Sequence, residues 1–425
     1  MIRKVDFLLN IGYTELIMTM KLPKPITYIA RDIERALGVP ENTVNYAIIS
    51  NNSTFAKEAV HRYDVALVES DKTLSTQELL HNATIEEGTH ILVFKNTKAI
   101  ERIAAEKGLQ LLNPSAALAG RIEEKISQLD WLGELETFLP PHHVAVCKEL
   151  SFDGEKYIVQ FNHAHSGEGT MLITSEKDLA SIKETFPERP VRVTQFIDGA
   201  VYTVNSVVHA GGVLVSSPSY QITGLSPFTD NAFTTIGNDW GVANNMLSNE
   251  QKSSIANMAM SIGEKMRANG WKGLFGIDIV VEENSGKVYL IEINARQPAS
   301  TTYESQLQTV LVVNRQPHPN PPLIKGREYV LSTFEAHLKA LLGENLSEYT
   351  LVPIPSGAQI LQRVTKDITD VSIEQISAIR DLGYNVIVYD ERKIGVELLR
   401  IQSNASFIQA HNVLSQKGSE IAEIL

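Results

Sequence analysis

The segment GLFGIDIVVEENSGKVYLIEINAR (273–296) carries Asp278, Glu292, Asn294 and Arg296. Two runs rich in aliphatic and β-branched residues flank Asn284-Ser285-Gly286, which reads as a three-residue hairpin loop with glycine in the left-handed position. Folding there sets Glu283 opposite Lys287. Counting back along both strands then sets Asp278 opposite Glu292 and Gly276 opposite Asn294, all on one face. Carboxylates so opposed stand only ~5 Å apart at Cβ and repel each other, so a cation must offset them. Asp, Glu and Asn are hard oxygen donors suited to Mg²⁺. Gly276 would leave space beside the ion, and Arg296 would leave the strand on the same side, where its planar fork can face a phosphate. The plainer alternative is a solvent-facing strand pair bridged by Lys287 or other basic residues.

A second signal is the loop His165-Ser166-Gly167-Glu168-Gly169-Thr170, after the strand pattern Tyr157–Phe161. Glycines let backbone N–H groups approach an anion, and Ser166 and Thr170 add hydroxyl donors. No Gly-Lys-Ser/Thr follows, which excludes a Walker A loop; alone, such a run is more often a plain turn. Glu168 must point away from any bound anion. His163 and His165 form an HxH pair, but no third His or Cys is near, so both read as loop residues. Upstream, Asn113-Pro114 opens a helix with Asn113 as cap and proline in the first helical position. Leu118, Ile122, Ile126, Leu129 and Leu132 form its apolar stripe, which Lys125 borders. A lysine there needs an anionic partner or a path to solvent.

The rest of the chain must position these residues. At 425 residues it allows two to four domains, and 43% hydrophobic with 21% charged residues is enough to bury a core. There are 38 basic against 50 acidic residues, a net charge of −12, which disfavours non-specific nucleic-acid binding. No apolar run is long enough for a membrane span. The start, MIRKVDFLLNIGYTE, is a poor secretory signal and a good first strand. Cys147 is the single cysteine, so intramolecular disulfides and multi-cysteine metal sites are excluded; it reads as a small buried hydrophobe. A cytoplasmic location is expected.

Residues 1–113 alternate strand patterns (Val5–Leu9, Tyr46–Ile49, Val65–Val68, Ile91–Phe94) with helical ones (Ile29, Ile33 and Leu37; Leu74 to Ala83), which predicts a parallel sheet with crossover helices. Only Gly12 follows the first strand, so no dinucleotide fingerprint is present there. Residues 140–345 are richer in strands and glycine: Val191–Ile197, Tyr202–His209 and Val213–Ser216 precede a helix from about 250 to 269, with Ser248 and Gln251 as its capping box and Gly270 at its end. Arg315 to Gly326 is a proline-rich insert or loop, and the last ~80 residues return to mixed α/β patterns.

In order and content these elements resemble the ATP-grasp superfamily of carboxylate ligases, over roughly residues 1–345. Asp278 with Glu292-Ile293-Asn294-Ala295-Arg296 on paired strands, downstream of a glycine loop, is the most specific part. The resemblance implies a mixed α/β (α+β) architecture: an N-terminal parallel-sheet domain at 1–113, a two-lobed ATP-grasp domain at 114–345 (small lobe about 140–197, large lobe about 198–345), and a small α/β region at 346–425. It implies ATP and Mg²⁺ (or Mn²⁺), as in carbamoyl-phosphate synthetase or biotin carboxylase. Asp278, Glu292 and Asn294 would hold the metal. Lys125 would contact the phosphates, and Ser166, Gly167, Gly169 and Thr170 would close over them. Gln195, Phe196 and Ile197 would hold adenine by backbone groups, and Asp198 the ribose. The family usually has a lysine on the strand before the glycine loop; here the matching residue is Gln160, which donates hydrogen bonds but carries no charge.

The expected activity is an ATP-dependent ligase that activates a substrate carboxylate as an acyl phosphate for attack by an amine or other nucleophile, with Arg296 stabilising the developing oxyanion. The partners are then small molecules, with no nucleic acid or membrane and with a homodimer allowed. The substrate pocket is expected near Arg296, Gln297–Glu304 and the loop 224–245. Two rival readings are a biotin carboxylase-like carboxylation through carboxyphosphate, and a non-catalytic ATP-binding regulatory module suggested by Gln160 and Glu168.

Overall fold

A computed structural model of the chain describes residues 20–162, 169–314 and 329–425. The strand expected at Val5–Leu9, Gly12, the residues His163, His165, Ser166, Gly167 and Glu168, and the insert Arg315–Gly326 lie outside them. The described N-terminal unit is a five-stranded parallel sheet of β1 (Lys21–Ala30), β2 (Val44–Asn51), β3 (Val65–Val68), β4 (His90–Val93) and β5 (Gln110–Leu111), in the order β3-β2-β1-β4-β5. A parallel sheet was expected, but its central strand was not. β1 contains Pro23 and Pro25, residues that cannot donate to a ladder. The register against β2 jumps from Lys21↔Val44 to Ile26↔Tyr46, so both prolines fall in the irregular stretch and regular pairing starts after them. Ile29, Ile33 and Leu37, read as a helical stripe, are instead the end of β1 and a short 3-10 turn at Ile33–Ala36. All three are buried, but not together: Ile29 packs with Ile49, Ile91 and Val93 on one face of the sheet, whereas Ile33 and Leu37 pack with Tyr28, Tyr46 and Ile48.

A four-stranded antiparallel sheet follows: β6 (His142–Val146), β7 (Tyr157–Phe161), β8 (Thr170–Ile173) and β9 (Pro190–Gln195), in the order β6-β9-β7-β8. Val191 and Val193 of β9 point into a core with Val159, Ile173, Leu179 and Ile182, under the helix Glu176–Thr185. Cys147 is buried in that core, as expected. Because successive residues of a strand alternate faces, Arg192 and Thr194 face the other way.

The large sheet has nine strands. β10 (Gly199–His209), β11 (Gly212–Val215), β12 (Ser219–Thr223), β13 (Thr235–Asp239), β14 (Gly273–Glu282) and β15 (Val288–Asn294) come first; β16 (Tyr329–Leu331) and β17 (Tyr349–Leu351) form a separate pair; then β18 (Ala358–Arg363), β19 (Asn385–Val388) and β20 (Glu397–Ser403) complete it. Its order is β15-β14-β10-β12-β13-β18-β20-β19, with β11 on β10. β18, β19 and β20 therefore extend the sheet that carries the acidic hairpin. The helix Asn249–Ala268 starts at the expected Ser248–Gln251 capping box and buries Ile255, Met258, Ala259, Ile262 and Met266. Gly270 follows it at φ +85°, a conformation that favours glycine.

Candidate active site

β14 and β15 pair as the sequence suggests at the chemically important end: Gly276↔Asn294 and Asp278↔Glu292. The route to that register differs from the expected one. At the tip Glu282 N donates to Lys287 O and Gly286 N to Glu282 O, so Glu283 does not face Lys287 and the last ladder pair is Val281↔Val288. The turn is thus longer by one residue than the three-residue loop expected. A bulge at Ile291, between Ile279↔Leu290 and Asp278↔Glu292, takes up the difference and restores the register. Gly276 does not make room for an ion: a Cβ there would meet Pro298 Cγ at 2.7 Å, so the glycine admits the proline ring that follows the hairpin.

Asp278 Oδ1 accepts from Thr203 Oγ1 at 2.7 Å and Oδ2 from Asn294 Nδ2 at 3.0 Å. Thr203 in turn accepts from Gln221 Nε2, whose Oε1 takes the Thr235 hydroxyl at 3.0 Å. This chain across β13, β12, β10 and β14 fixes one carboxyl in the sheet face. Burial, and then the Glu292 charge, push the Asp278 carboxyl up to about 6. Burial acts the same way on Glu292, but Lys125, Arg296 and Arg192 outweigh it and hold that carboxyl below its ordinary value. The cation offsetting the pair is Lys125, whose Nζ lies 2.9 Å from Glu292 Oε1.

Lys125 does not border a helical stripe. The expected helix starts with Ser115 as cap, runs over Ala116–Glu123, and stops where Glu124 turns extended (ψ 128°); a second helix runs over Ser127–Leu132. Asn113 is no cap: its side chain bonds both Val93 N and Val93 O. At the break, Asn162 Oδ1 accepts from Ile126 N at 2.8 Å and Gln128 Nε2 donates to Ile122 O at 2.7 Å. These side chains satisfy backbone groups freed by the interruption, and the interruption throws Lys125 toward Glu292.

Arg296 lines the cavity but its guanidinium is engaged by the Glu123 carboxylate, which Lys95 Nζ also meets at 2.8 Å. The expectation that it leaves the strand free to face a phosphate is corrected by this pairing. Gln160 is 4% exposed, and its Oε1 accepts two bonds from Arg192, at 2.9 Å from Nε and 2.7 Å from Nη2. Arg192 is the cation at this place, supplied by the strand next door: Gln160 and Arg192 are a ladder pair. It also donates to Gln128 Oε1 at 3.0 Å and to the bulged Ile291 O at 3.3 Å. It is 1% exposed, and among the described residues only neutral oxygens bond it. Burial pulls it down to about 10, with Glu292 opposing, so it stays charged at neutral pH.

Around these residues lies a cavity of about 1720 Å³ between the parallel N-terminal sheet, the four-stranded sheet and the nine-stranded sheet. Gln160, Thr170, Gln195, Phe196, Ile197, Asp198, Asp278, Glu292, Asn294 and Arg296 all line it; Lys125 stands behind Glu292 instead. Phe196 and Ile197 lie between β9 and β10, outside both ladders, so their peptide groups are not committed to a sheet. Gly199 lets the chain re-enter the sheet there, since a Cβ would lie 1.9 Å from Val281 O. Gly169 O accepts from Phe161 N at 2.9 Å, which ties Gly169 to β7. Among the described residues no three His, Cys, Asp or Glu side chains cluster into a metal site. Two acids plus the Asn294 amide therefore fit a hard divalent ion only as a partial oxygen shell, with ligand phosphates completing it.

Sequence reasoning missed Arg192, Thr203, Gln221, Glu123 and Lys95. Arg192 had a readable signal: a lone charge alternating with valines in Pro190-Val-Arg-Val-Thr marks the face opposite the core. Glu123 and Lys95 had none, since only the fold brings them to Arg296.

A family model described as ATP-grasp domain matches residues 122–300. No curated protein sequence matches the chain. Among solved structures, carboxyaminoimidazole ribonucleotide synthase from Aspergillus clavatus, complexed with ATP, is similar at TM-score 0.60 and 14% identity, covering 96% of each chain. N5-carboxyaminoimidazole synthetase from Staphylococcus aureus, complexed with ADP, matches at TM-score 0.60 and 11% identity over 95% of this chain and 96% of that one. L-amino acid ligase from Bacillus licheniformis matches at TM-score 0.60 and 13% identity, over 94% and 96%. Asp278, Glu292 and Asn294 line the cavity from within the stretch that the family model matches, and residues 122–300 are an ATP-grasp domain.

Proposed function

We propose that the protein is an ATP-dependent ligase that joins a carboxylate to an amine or another nucleophile, releasing ADP and phosphate. The observation that carries this reading is the opposed pair Asp278 and Glu292 beside Asn294, inside a cavity that also holds the unneutralised Arg192. Glu292, Asp278 and Asn294 would hold Mg²⁺ or Mn²⁺, which when bound neutralises charge on the β- and γ-phosphates. The peptide groups of Phe196 and Ile197 would hold the adenine edge, with Asp198 at the ribose. Arg192 supplies the buried positive charge that Gln160 lacks, and Lys125 keeps Glu292 ionised. The substrate carboxylate attacks the γ-phosphorus and ADP leaves; the nucleophile then attacks the acyl phosphate and phosphate leaves. Arg296, oriented by Glu123, stands where an oxyanion develops at the acyl carbon.

Three neighbours are in keeping with this, two being complexes with ATP or ADP and the third an L-amino acid ligase. Arg192 also weakens the case for a non-catalytic module, which rested on the missing lysine. Release of ADP and phosphate over a panel of carboxylates and amines tests the reading. Turnover should require one member of each class; tight ATP binding with no pair stimulating release would refute it.

A further inference from the structure

β10 runs along the cavity from the hinge outward. Its first residue, Gly199, follows the hinge Gln195–Asp198, and Val201 lines the cavity next. Thr203 then pairs with Asp278, which faces Glu292, and Asn205 pairs with Gly276, which faces Asn294. Asn205 thus stands one step along the strand, ~6.6 Å, beyond the Asp278 row on the side away from the hinge. With adenine at the hinge and the metal at Asp278, the reacting end of the nucleotide points toward this next row.

Residues 296–300 lie over it: all five line the cavity, and Pro298 occupies the space that a side chain at Gly276 would take. Asn205 Nδ2 donates one hydrogen to Ser300 Oγ at 2.9 Å and the other to Glu304 Oε2 at 2.6 Å, while its Oδ1 is buried without a partner. Glu304 Oε1 accepts from Thr333 Oγ1 at 2.6 Å, and Glu304 N donates to Ser300 O at 3.0 Å. Glu304 is 1% exposed, and no cation among the described residues compensates it. Burial pushes its carboxyl up to about 7, against hydrogen bonds from Thr333, Ser216 and Asn205. A carboxyl buried in this way is costly. It stands in the first turn of the helix Thr301–Asn314, whose dipole favours the ionised form. An ionised carboxylate only accepts, which fixes the Asn205 amide with its nitrogen toward Glu304 and Ser300. Neither Glu304 nor Asn205 lines the cavity.

The outcome of this arrangement falls on Ser300. A serine hydroxyl has one hydrogen to give. Ser300 Oγ already accepts from Asn205, and among the described residues its own hydrogen has no acceptor, although Ser300 is part of the cavity wall. We propose that Ser300 donates this hydrogen bond to the carbonyl oxygen of the acyl phosphate, and that Asn205 and Glu304 are positioning residues that aim it. This rests on the ligase reading above. Ser300 and Arg296, four residues apart on one segment, then face the same oxygen. The serine keeps its proton throughout.

The test loads the enzyme with ADP and Mg²⁺ and titrates in phosphonoacetate, a stable acyl-phosphate mimic whose carboxylate stands at the acyl carbon. The loaded wild type should bind it, and Ser300→Ala should bind it ~5–10-fold more weakly while keeping ADP affinity within about twofold. Glu304→Leu should weaken the mimic by a similar factor. Glu304→Gln, which keeps an acceptor for Asn205, should stay within about threefold of wild type. The double variant Ser300→Ala with Glu304→Leu should bind no more weakly than Ser300→Ala alone, because both act through one hydroxyl, whereas general loosening would add. If Glu304→Leu does not fold, Asn205→Ala takes its place in the cycle. No binding of the mimic by the loaded wild type, wild-type affinity in Ser300→Ala, or additive losses in the double variant overturns the assignment and leaves the ligase reading standing. Failure of the wild type to bind ADP with Mg²⁺ overturns the ligase reading itself.

Discussion

Asp278 and Glu292 occupy directly opposed positions on β14 and β15, yet their carboxyls are driven in opposite directions. Burial and the Glu292 charge raise Asp278, whereas Glu292 has Lys125 at 2.9 Å. An acid raised in the native state holds its proton more tightly folded than unfolded, so stability falls as pH rises from about 4 through 6. Asp278→Asn removes that cost. In the metal-free protein the variant should be more stable than wild type at pH 7.5, by ~1–3 kcal/mol, and equal to it near pH 4. It should also lose Mg²⁺-dependent nucleotide binding. Denaturant titrations at the two pH values check the first part, and nucleotide titration with and without Mg²⁺ the second.

Arg192 and Gln160 are a cross-strand pair in which the cation stands one strand away from its expected place. Arg192→Gln should weaken ATP binding by ~10–100-fold, the ~1.4–3 kcal/mol of a charge-assisted contact. Adding Gln160→Lys to that variant should recover most of the loss, because the charge returns to the same face from the neighbouring strand. Dissociation constants for wild type, both single variants and the double variant decide it; no rescue would mean that position, rather than charge, matters there.

Glu123 joins Arg296 and Lys95 and is not among the residues lining the cavity, so in the proposed ligase it would position the arginine. Glu123→Gln should leave nucleotide affinity within about threefold. Turnover of a productive substrate pair should fall ~10-fold, about 1.4 kcal/mol of lost orientation in the transition state. Separate kcat and KM measurements distinguish this from general loosening, which would raise both KM values.

His337 accepts from Leu274 N at 3.0 Å and is held neutral by burial, down to about 3. The unfolded imidazole gains its proton near its ordinary value, so this contribution is fully present above ~6.5 and is lost as pH falls toward 3, by up to ~1.4 kcal/mol per pH unit. His337→Gln keeps an acceptor for Leu274 N. The difference in unfolding free energy between wild type and variant should therefore narrow steadily from pH 6.5 to 4.5. A constant difference across that range would count against the assignment.

The sequence by itself determined the local chemistry of the hairpin. Alternation along 273–296 put Asp278 and Glu292 on one face, and both ends of the helix Asn249–Ala268 were legible in its capping box and Gly270. Such features depend on residues close in the chain, where strand and helix periods fix geometry. Even there the register was reached by two compensating departures, a longer turn and the Ile291 bulge, which alternation does not reveal. β1 went unread because Ile29, Ile33 and Leu37 also fit a helical spacing, and only pairing with β2 and β4 shows that Ile29 belongs to a strand whose prolines fall in an irregular stretch. The partners of the site came from the tertiary structure alone. Lys125 reaches Glu292 because a helix breaks at Glu124, Arg192 brings its charge to Gln160 from an adjacent strand, and Glu123 meets Arg296 from 173 positions away. Electrostatic pairing acts through space, so a chain order that separates charges by whole domains carries no record of which of them will meet.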